Sequence, residues 1–159
     1  MVIWPRYLLF GIDLLTVGCG SESDKKAPVS EALPPPPPVK DNRLLLLAEN
    51  QKSAMLVQDH VLGKKVLPGG TVGEYDDGSR KYRLFVIQTP SPQDAAILLL
   101  DTKATMTDPQ YIAYMGGYFG TDSGKPFYVF ADKQYLAGVV GLAEDLADPI
   151  ARQLAARLR

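Results

Sequence analysis

Tyr111–Leu142 reads YIAYMGGYFGTDSGKPFYVFADKQYLAGVVGL, three apolar runs cut apart by turn residues. The runs 112–119, 127–131 and 135–141 are short, aromatic and β-branched, which is strand composition, and Thr121–Lys125 between the first two is a turn. This predicts the centre of a small antiparallel sheet. Paired Gly116 and Gly117 have no side chains to pack, so within the first strand they mark a bulge or the close approach of another backbone. Asp132, Lys133 and Gln134 join the last two strands, and Gly138 and Gly141 leave room for an element packed across them.

Downstream, Leu146, Ile150, Leu154 and Leu158 recur every four residues, the stripe of an amphipathic helix. Pro149 would break a helix begun at Glu144, so Asp148 is predicted as N-cap with Pro149 in the first helical position. The arginines at the chain end suit the negative pole of the helix dipole.

Upstream, Thr71–Tyr75 and Arg80–Thr89 flank Asp76-Asp77-Gly78-Ser79, a hairpin with an Asp-Gly turn. Both faces of the second strand are apolar near its middle, so it belongs inside the sheet. Ser91 as N-cap, Pro92 behind it and Asp94 three residues after the cap predict a helix from Pro92 to about Thr105, with Ala95, Leu98, Leu99 and Thr102 on one stripe. Residues 43–67 fit either structure. Asp41 as N-cap and Gly63 past the end favour a helix, while Leu44–Leu47, apolar on all sides, suits a buried strand over Leu44–Ala48. The fold expected is α+β: an antiparallel sheet of about five strands, one helix between strands, a C-terminal helix packed on one face, and a disordered N-terminal tether.

The chain has 159 residues, 46% hydrophobic and 22% charged, which fits one globular core. With 17 basic against 18 acidic residues its formal net charge is -1, so no global field draws in a polyanion and no nucleic-acid partner is expected. A single cysteine excludes an internal disulfide framework and every multi-cysteine metal site.

That cysteine, Cys19, follows Arg6, an apolar run from Tyr7 to Val17, and small Gly18. The run is about a dozen residues, short of the roughly 20 needed to span a bilayer, so 1–18 reads as a removable secretion signal. Asp13 inside it costs about 2.5 to 3.5 kcal/mol on insertion scales, which Leu8, Leu9, Phe10, Ile12, Leu14 and Leu15 together roughly offset. Residues 19–42 follow, polar and small at first and then five prolines, Pro34–Pro38; they cannot bury a core and are predicted disordered or polyproline II. A flexible chain of that length spans on the order of 25 Å, and about 70 Å when extended. A proline run can also be a ligand of SH3-type domains, but a spacer is the reading preferred here, leaving 43–159 as the folded domain.

The sequence LLTVGC resembles the lipobox of bacterial lipoproteins, although Thr16 stands where that pattern usually has leucine. The resemblance implies that the Cys19 thiol is diacylated and becomes the mature amino terminus, with Leu15–Gly18 as the recognition site. Two acyl chains anchor stably where one is marginal. By the same resemblance, the absence of aspartate at Gly20 and Ser21 favours the outer over the inner membrane. The other reading of Cys19 is a buried, inert thiol in a soluble protein. Residues 69–158, with GGYFG, GKPFYVFA and YLAGVVGL, resemble an uncharacterised bacterial domain family of secreted proteins, which implies a similar strand-and-terminal-helix fold and no catalytic residues.

For chemistry the residues offer little. His60 is the only histidine, so Cys-His pairs and polyhistidine metal sites are set aside; beside Asp59 it could form a lone acid-base pair. Asp76 and Asp77 sit where a hairpin wants Asp-Gly and lack the other oxygens of a calcium loop. Neither GGTVG nor GGYFG is a nucleotide-binding loop, because Pro126 follows Gly124-Lys125 where a P-loop needs a hydroxyl. No cofactor or metal is expected. The aromatics are concentrated in the quoted stretch, and alternation sends Tyr128 and Phe130 to the face opposite Phe127 and Val129. An aromatic face left bare by the helices would be a contact surface, so Tyr118, Phe119, Tyr128 and Phe130 are the candidate binding residues. The function expected is that of a lipid-anchored envelope protein with a non-catalytic binding domain for an envelope protein or other component. The alternatives are an enzyme using carboxylates such as Glu74, Asp76 or Asp122 with tyrosines, and a soluble domain with no anchor.

Overall fold

A computed structural model describes Pro35 and residues 37–159. The leader, Cys19 and most of the proline spacer lie outside the described residues. Seven strands, β1 (Gln51–Asp59), β2 (Pro68–Asp76), β3 (Lys81–Gln88), β4 (Thr107–Ile112), β5 (Gly117–Asp122), β6 (Lys125–Asp132) and β7 (Tyr135–Val140), form one antiparallel sheet in the order β1-β2-β3-β7-β6-β5-β4. Helix α1 (Pro92–Ala104) connects β3 to β4, and helix α2 (Glu144–Arg157) ends the chain. The first three strands run as a meander; α1 then carries the chain to the far edge, and β4 to β7 return until β7 pairs with β3.

Alternation on the central strands builds two cores, one on each face. Leu84, Val86, Tyr128, Phe130, Ala137 and Val139 meet Ala147, Ala151, Leu154, Ala155 and Leu158 of α2. Phe85, Ile87, Phe127, Val129, Leu136 and Val140 lie on the other face with Leu99 of α1. The alanines of α2 recur every four residues, so its contact stripe is shallow and the helix can sit close on the sheet. Val61 and Leu67, from the connection between β1 and β2, are buried in the α1-side core. That connection is thus a strap across the face, and Lys64 in it pairs with Asp122 at the end of β5.

The architecture is α+β, with seven strands where about five were expected. One extra strand comes from 43–67: neither a helix nor a strand at Leu44–Ala48 forms there, but a 3-10 turn at Arg43–Leu45 and then β1. β1 is an edge strand, half-exposed along much of its length, so its apolar residues do not alternate cleanly. The second comes from the quoted stretch. Gly116, at φ +61°, belongs to a turn that splits the expected strand 112–119 into the end of β4 and the start of β5.

The expected hairpin forms, with its turn one residue further along than read: Asp76 belongs to β2, β3 starts at Lys81, and the two are opposed. The Ser91 cap forms as well: its hydroxyl accepts from Asp94 N at 3.2 Å and donates to the Asp94 carboxylate at 2.6 Å. In α2, by contrast, Pro149 sits inside a helix that begins at Glu144. Proline at this position removes one intrahelical N–H and leaves Asp148 within the helix rather than at its cap. The Asp148 carboxylate is engaged instead by side chains from the sheet.

Candidate functional site

The four aromatic candidates do not share a surface. Tyr118 and Phe119 are neighbours on β5 and point to opposite faces; Tyr118 packs on the α1 side and Phe119 on the α2 side. Tyr128 and Phe130 follow Phe119 onto the α2 side, where the helix buries them completely. The bare aromatic face expected from alternation does not form, because the helices cover opposite faces of the sheet. Tyr118 is only partly buried; the Lys103 ammonium stands 4.8 Å from its ring centre and Tyr111 packs against it at 5.3 Å.

Tyr128 instead belongs to a polar cluster that sequence reading did not find. Its hydroxyl donates to Asp148 Oδ1 at 2.9 Å, and exposed Tyr114, from the turn after β4, donates to the same oxygen at 2.6 Å. Arg152, one turn along α2, pairs with Asp148 Oδ2 at 2.9 Å and lies 4.5 Å from the Tyr114 ring. Burial pushes the Tyr128 phenol up, and its bond to the Asp148 carboxylate pushes it further. Burial alone would also raise the Asp148 carboxyl, but the bonds from Tyr114 and Tyr128 and the Arg152 charge outweigh it and hold it below the usual carboxylate range. A phenol moved away from neutrality on one side and a carboxylate on the other exchange no proton near pH 7. The cluster is a lock between sheet and helix.

Space for a partner opens at the end of the sheet where β2 and β7 finish and β3 and β6 begin. A groove of about 710 Å³ is lined there by Lys52, Glu74, Asp76, Lys81, Arg83 and Lys125, with Tyr75, Tyr82 and Val140 among its other residues. The hairpin register places Glu74 opposite Arg83 and Asp76 opposite Lys81, and β6 brings Lys125 beside the end of β7. Glu74 also accepts from Ser53 Oγ at 3.2 Å. None of Lys52, Lys81, Arg83 and Lys125 has a carboxylate within 4 Å among the described residues, whereas Arg43, Lys64, Arg80, Arg152 and Arg159 each have one. Four free cations against two carboxylates leave the groove locally positive in a chain that is close to neutral. Burial and the nearby Tyr82 push the Tyr75 phenol up to about 12, and its hydroxyl donates to Leu47 O at 2.7 Å.

Of the three acids suggested for chemistry, Glu74 and Asp76 meet at this groove, while Asp122 is not part of its lining and is held by Lys64. Asp77 accepts from Ser79 N at 2.9 Å and Arg80 N at 2.8 Å, so it serves the turn. His60 and Asp59 pair at 3.1 Å, well exposed beyond the end of β1 and away from the groove. The Asp-Gly turn announced a hairpin here but not the Glu74–Arg83 and Asp76–Lys81 register, since strands ending at Tyr75 and starting at Arg80 would have set those two residues opposite each other. Lys52 and Lys125 come from strands whose pairing no local pattern states.

No protein-family model, no curated protein and no solved structure matches this chain.

Proposed function

We propose that the chain is a lipid-anchored protein of the bacterial cell envelope, held through Cys19 in the outer rather than the inner membrane. In this reading its α+β domain binds an anionic envelope component without catalysing a reaction. The observation that carries it is the order of the sequence: an apolar leader, LLTVGC, a proline spacer, and only then a folded domain. The geometry of the domain supports the binding half. Val39, at the end of the lead-in, lies against Gly69 at the start of β2, whereas the groove lies at the other end of that strand. Five to seven residues of β2, from Gly69 to Glu74 and Asp76, separate the two by about 17 to 23 Å. Val39 thus joins the sheet at the end of β2 away from the positive groove.

Intact-mass analysis of protein extracted from membranes tests the anchor. The expected mass is that of a chain starting at a diacylated Cys19, and Cys19→Ala is expected to persist as the uncleaved precursor. A full-length soluble product with its leader attached would refute the anchor. The binding half is tested separately by titrating the protein with a carboxylate-rich polymer over a salt series. Affinity that falls with salt and drops at least several-fold in Lys81→Ala/Arg83→Ala supports the groove; equal binding by the variant refutes it.

A further inference from the structure

We infer that the free edge of β1 is the interface for a second copy of this chain, joining two sheets into one. The two edges of the sheet differ. β4 is six residues long, contains Pro109 and Asp108 at φ +49°, and has a register break between Thr107 and Gln110. Proline and irregular pairing are how an edge is kept from templating another strand. β1 is nine residues long and has no proline, and its irregularity is confined to Gln51–Ser53, leaving Ser53–Asp59 regular. Every second residue of such an edge turns its N–H and C=O outward.

Its apolar side chains are also unfinished. Met55 is 45% exposed. Neither Met55 nor Leu56 joins either core, although Ala54 and Val57 beside them do. Leu44, 89% exposed, stands with Gln51 and Ala54 around a second groove next to the same edge. Of the exposed large hydrophobics, Leu44 and Met55 thus flank one strand.

The sequence of the strand selects the partner. Two copies of one edge can pair antiparallel only about a dyad normal to the sheet, so opposed residues must lie on the same face and their numbers must sum to an even value. With the dyad at Leu56, Leu56 faces its own copy, Met55 of one chain faces Val57 of the other, Ala54 faces Gln58, and Ser53 faces Asp59. Each apolar residue on the α1 side then meets another, and the two polar residues, Ser53 and Asp59, meet each other. Moving the dyad to Met55 sets Ser53 against Val57, and moving it to Val57 sets Met55 against Asp59. Of these registers, the one centred on Leu56 alone pairs apolar with apolar and polar with polar on the α1 side, with Leu56 against its own copy on the other.

Sedimentation of the full-length chain in mild detergent tests this. The wild type is expected to be a dimer, Leu56→Lys and Leu56→Glu each a monomer with an unchanged circular dichroism spectrum, and a mixture of the two a dimer again, because opposite charges then meet at the dyad. A wild type that stays monomeric at every concentration, or single variants that remain dimeric, would overturn the proposal. Should the charged variants not fold, a chain carrying Cys19→Ser with Leu56→Cys gives a second readout. Directly opposed residues of antiparallel strands have Cα atoms about 4.5 to 5.5 Å apart, within disulfide reach. Leu56→Cys is expected to cross-link to its own copy under mild oxidation and Met55→Cys is not; cross-linking at 55 and none at 56 would overturn the register.

Discussion

The buried hydroxyl of Tyr128 donates to Asp148 Oδ1 across 2.9 Å, joining the middle of the sheet to the second turn of α2. The same oxygen takes a bond from Tyr114 at 2.6 Å, but Tyr114 is exposed and water can replace its contribution. Three substitutions separate these parts. Tyr128→Phe removes one hydrogen bond to a charged acceptor and is expected to cost about 1.5 to 3 kcal/mol. Asp148→Ala strands the buried Tyr128 hydroxyl and should cost more. Tyr114→Phe should cost well under 1 kcal/mol, within the range of an exposed contact. Urea denaturation gives the order, and a Tyr114→Phe loss equal to that of Tyr128→Phe would contradict it.

The same lock sets a pH response. The folded Asp148 carboxyl lies below its unfolded value, so its contribution to stability is present above about pH 4 and fades as pH falls through the lower folded value. Tyr75 behaves in the opposite sense: its phenol is raised from 10.0 to about 12 when folded. Its contribution is present below pH 10 and fades as pH rises from there through about 12, with Tyr128, also raised, adding in the same direction. Thermal melts across pH should fall at both ends. Asp148→Asn should flatten the acid limb and weaken the part of the alkaline limb that Tyr128 supplies, leaving the part due to Tyr75; an unchanged acid limb would remove Asp148 as its source.

Gly138 lies on the α1 face of β7, where the next strand and the Phe85 ring leave no room for a side chain. A Cβ there would stand 2.2 Å from the Tyr128 carbonyl oxygen and 2.7 Å from the Phe85 ring. Backbone and a packed ring cannot both yield, so Gly138→Ala should cost more than about 3 kcal/mol or prevent folding. Gly63 makes the contrast: nothing lies within 4 Å of its added Cβ, but its φ is +73°. Gly63→Ala should therefore cost only about 1 kcal/mol, all of it conformational. Comparable losses at the two positions would mean that packing at Gly138 is looser than its distances state.

How much of this was legible beforehand follows from the range of each signal. The Asp77-Gly78 hairpin and the Ser91-Pro92 helix start depend on residues within a turn of each other, and both form, the helix start where the sequence placed it and the hairpin turn one residue further along. β1 was missed because an edge strand lacks the clean alternation that marks a half-buried one. Gly116 was read inside a strand because paired glycines mark a bulge and a turn equally well. Of the aromatic candidates, Tyr128 and Phe130 are buried for a topological reason: alternation assigns them a face, but not whether a helix covers that face. The Asp148 cluster was hidden for a related reason, since reading Pro149 as a helix start gave the carboxylate a capping role it does not have.

The strap between β1 and β2 gives the last test. Lys64 reaches from it to Asp122, with side-chain exposures of only 12% and 15%, and its ammonium also lies 5.3 Å from the centre of the Phe127 ring. A pair this sheltered is worth little against an apolar replacement but costs a good deal when one member is removed, because the survivor stays desolvated. Asp122→Ala should therefore destabilise by about 2 to 4 kcal/mol, while Lys64→Met with Asp122→Ala should recover most of that loss. The coupling should appear in amide exchange as well: Asp122→Ala is expected to speed exchange across residues 60–67, and the double variant to slow it again, because the methionine rests on Phe127 with no charge left unpaired. Equal losses in the single and double variants would show that the strap is held by Val61 and Leu67 alone.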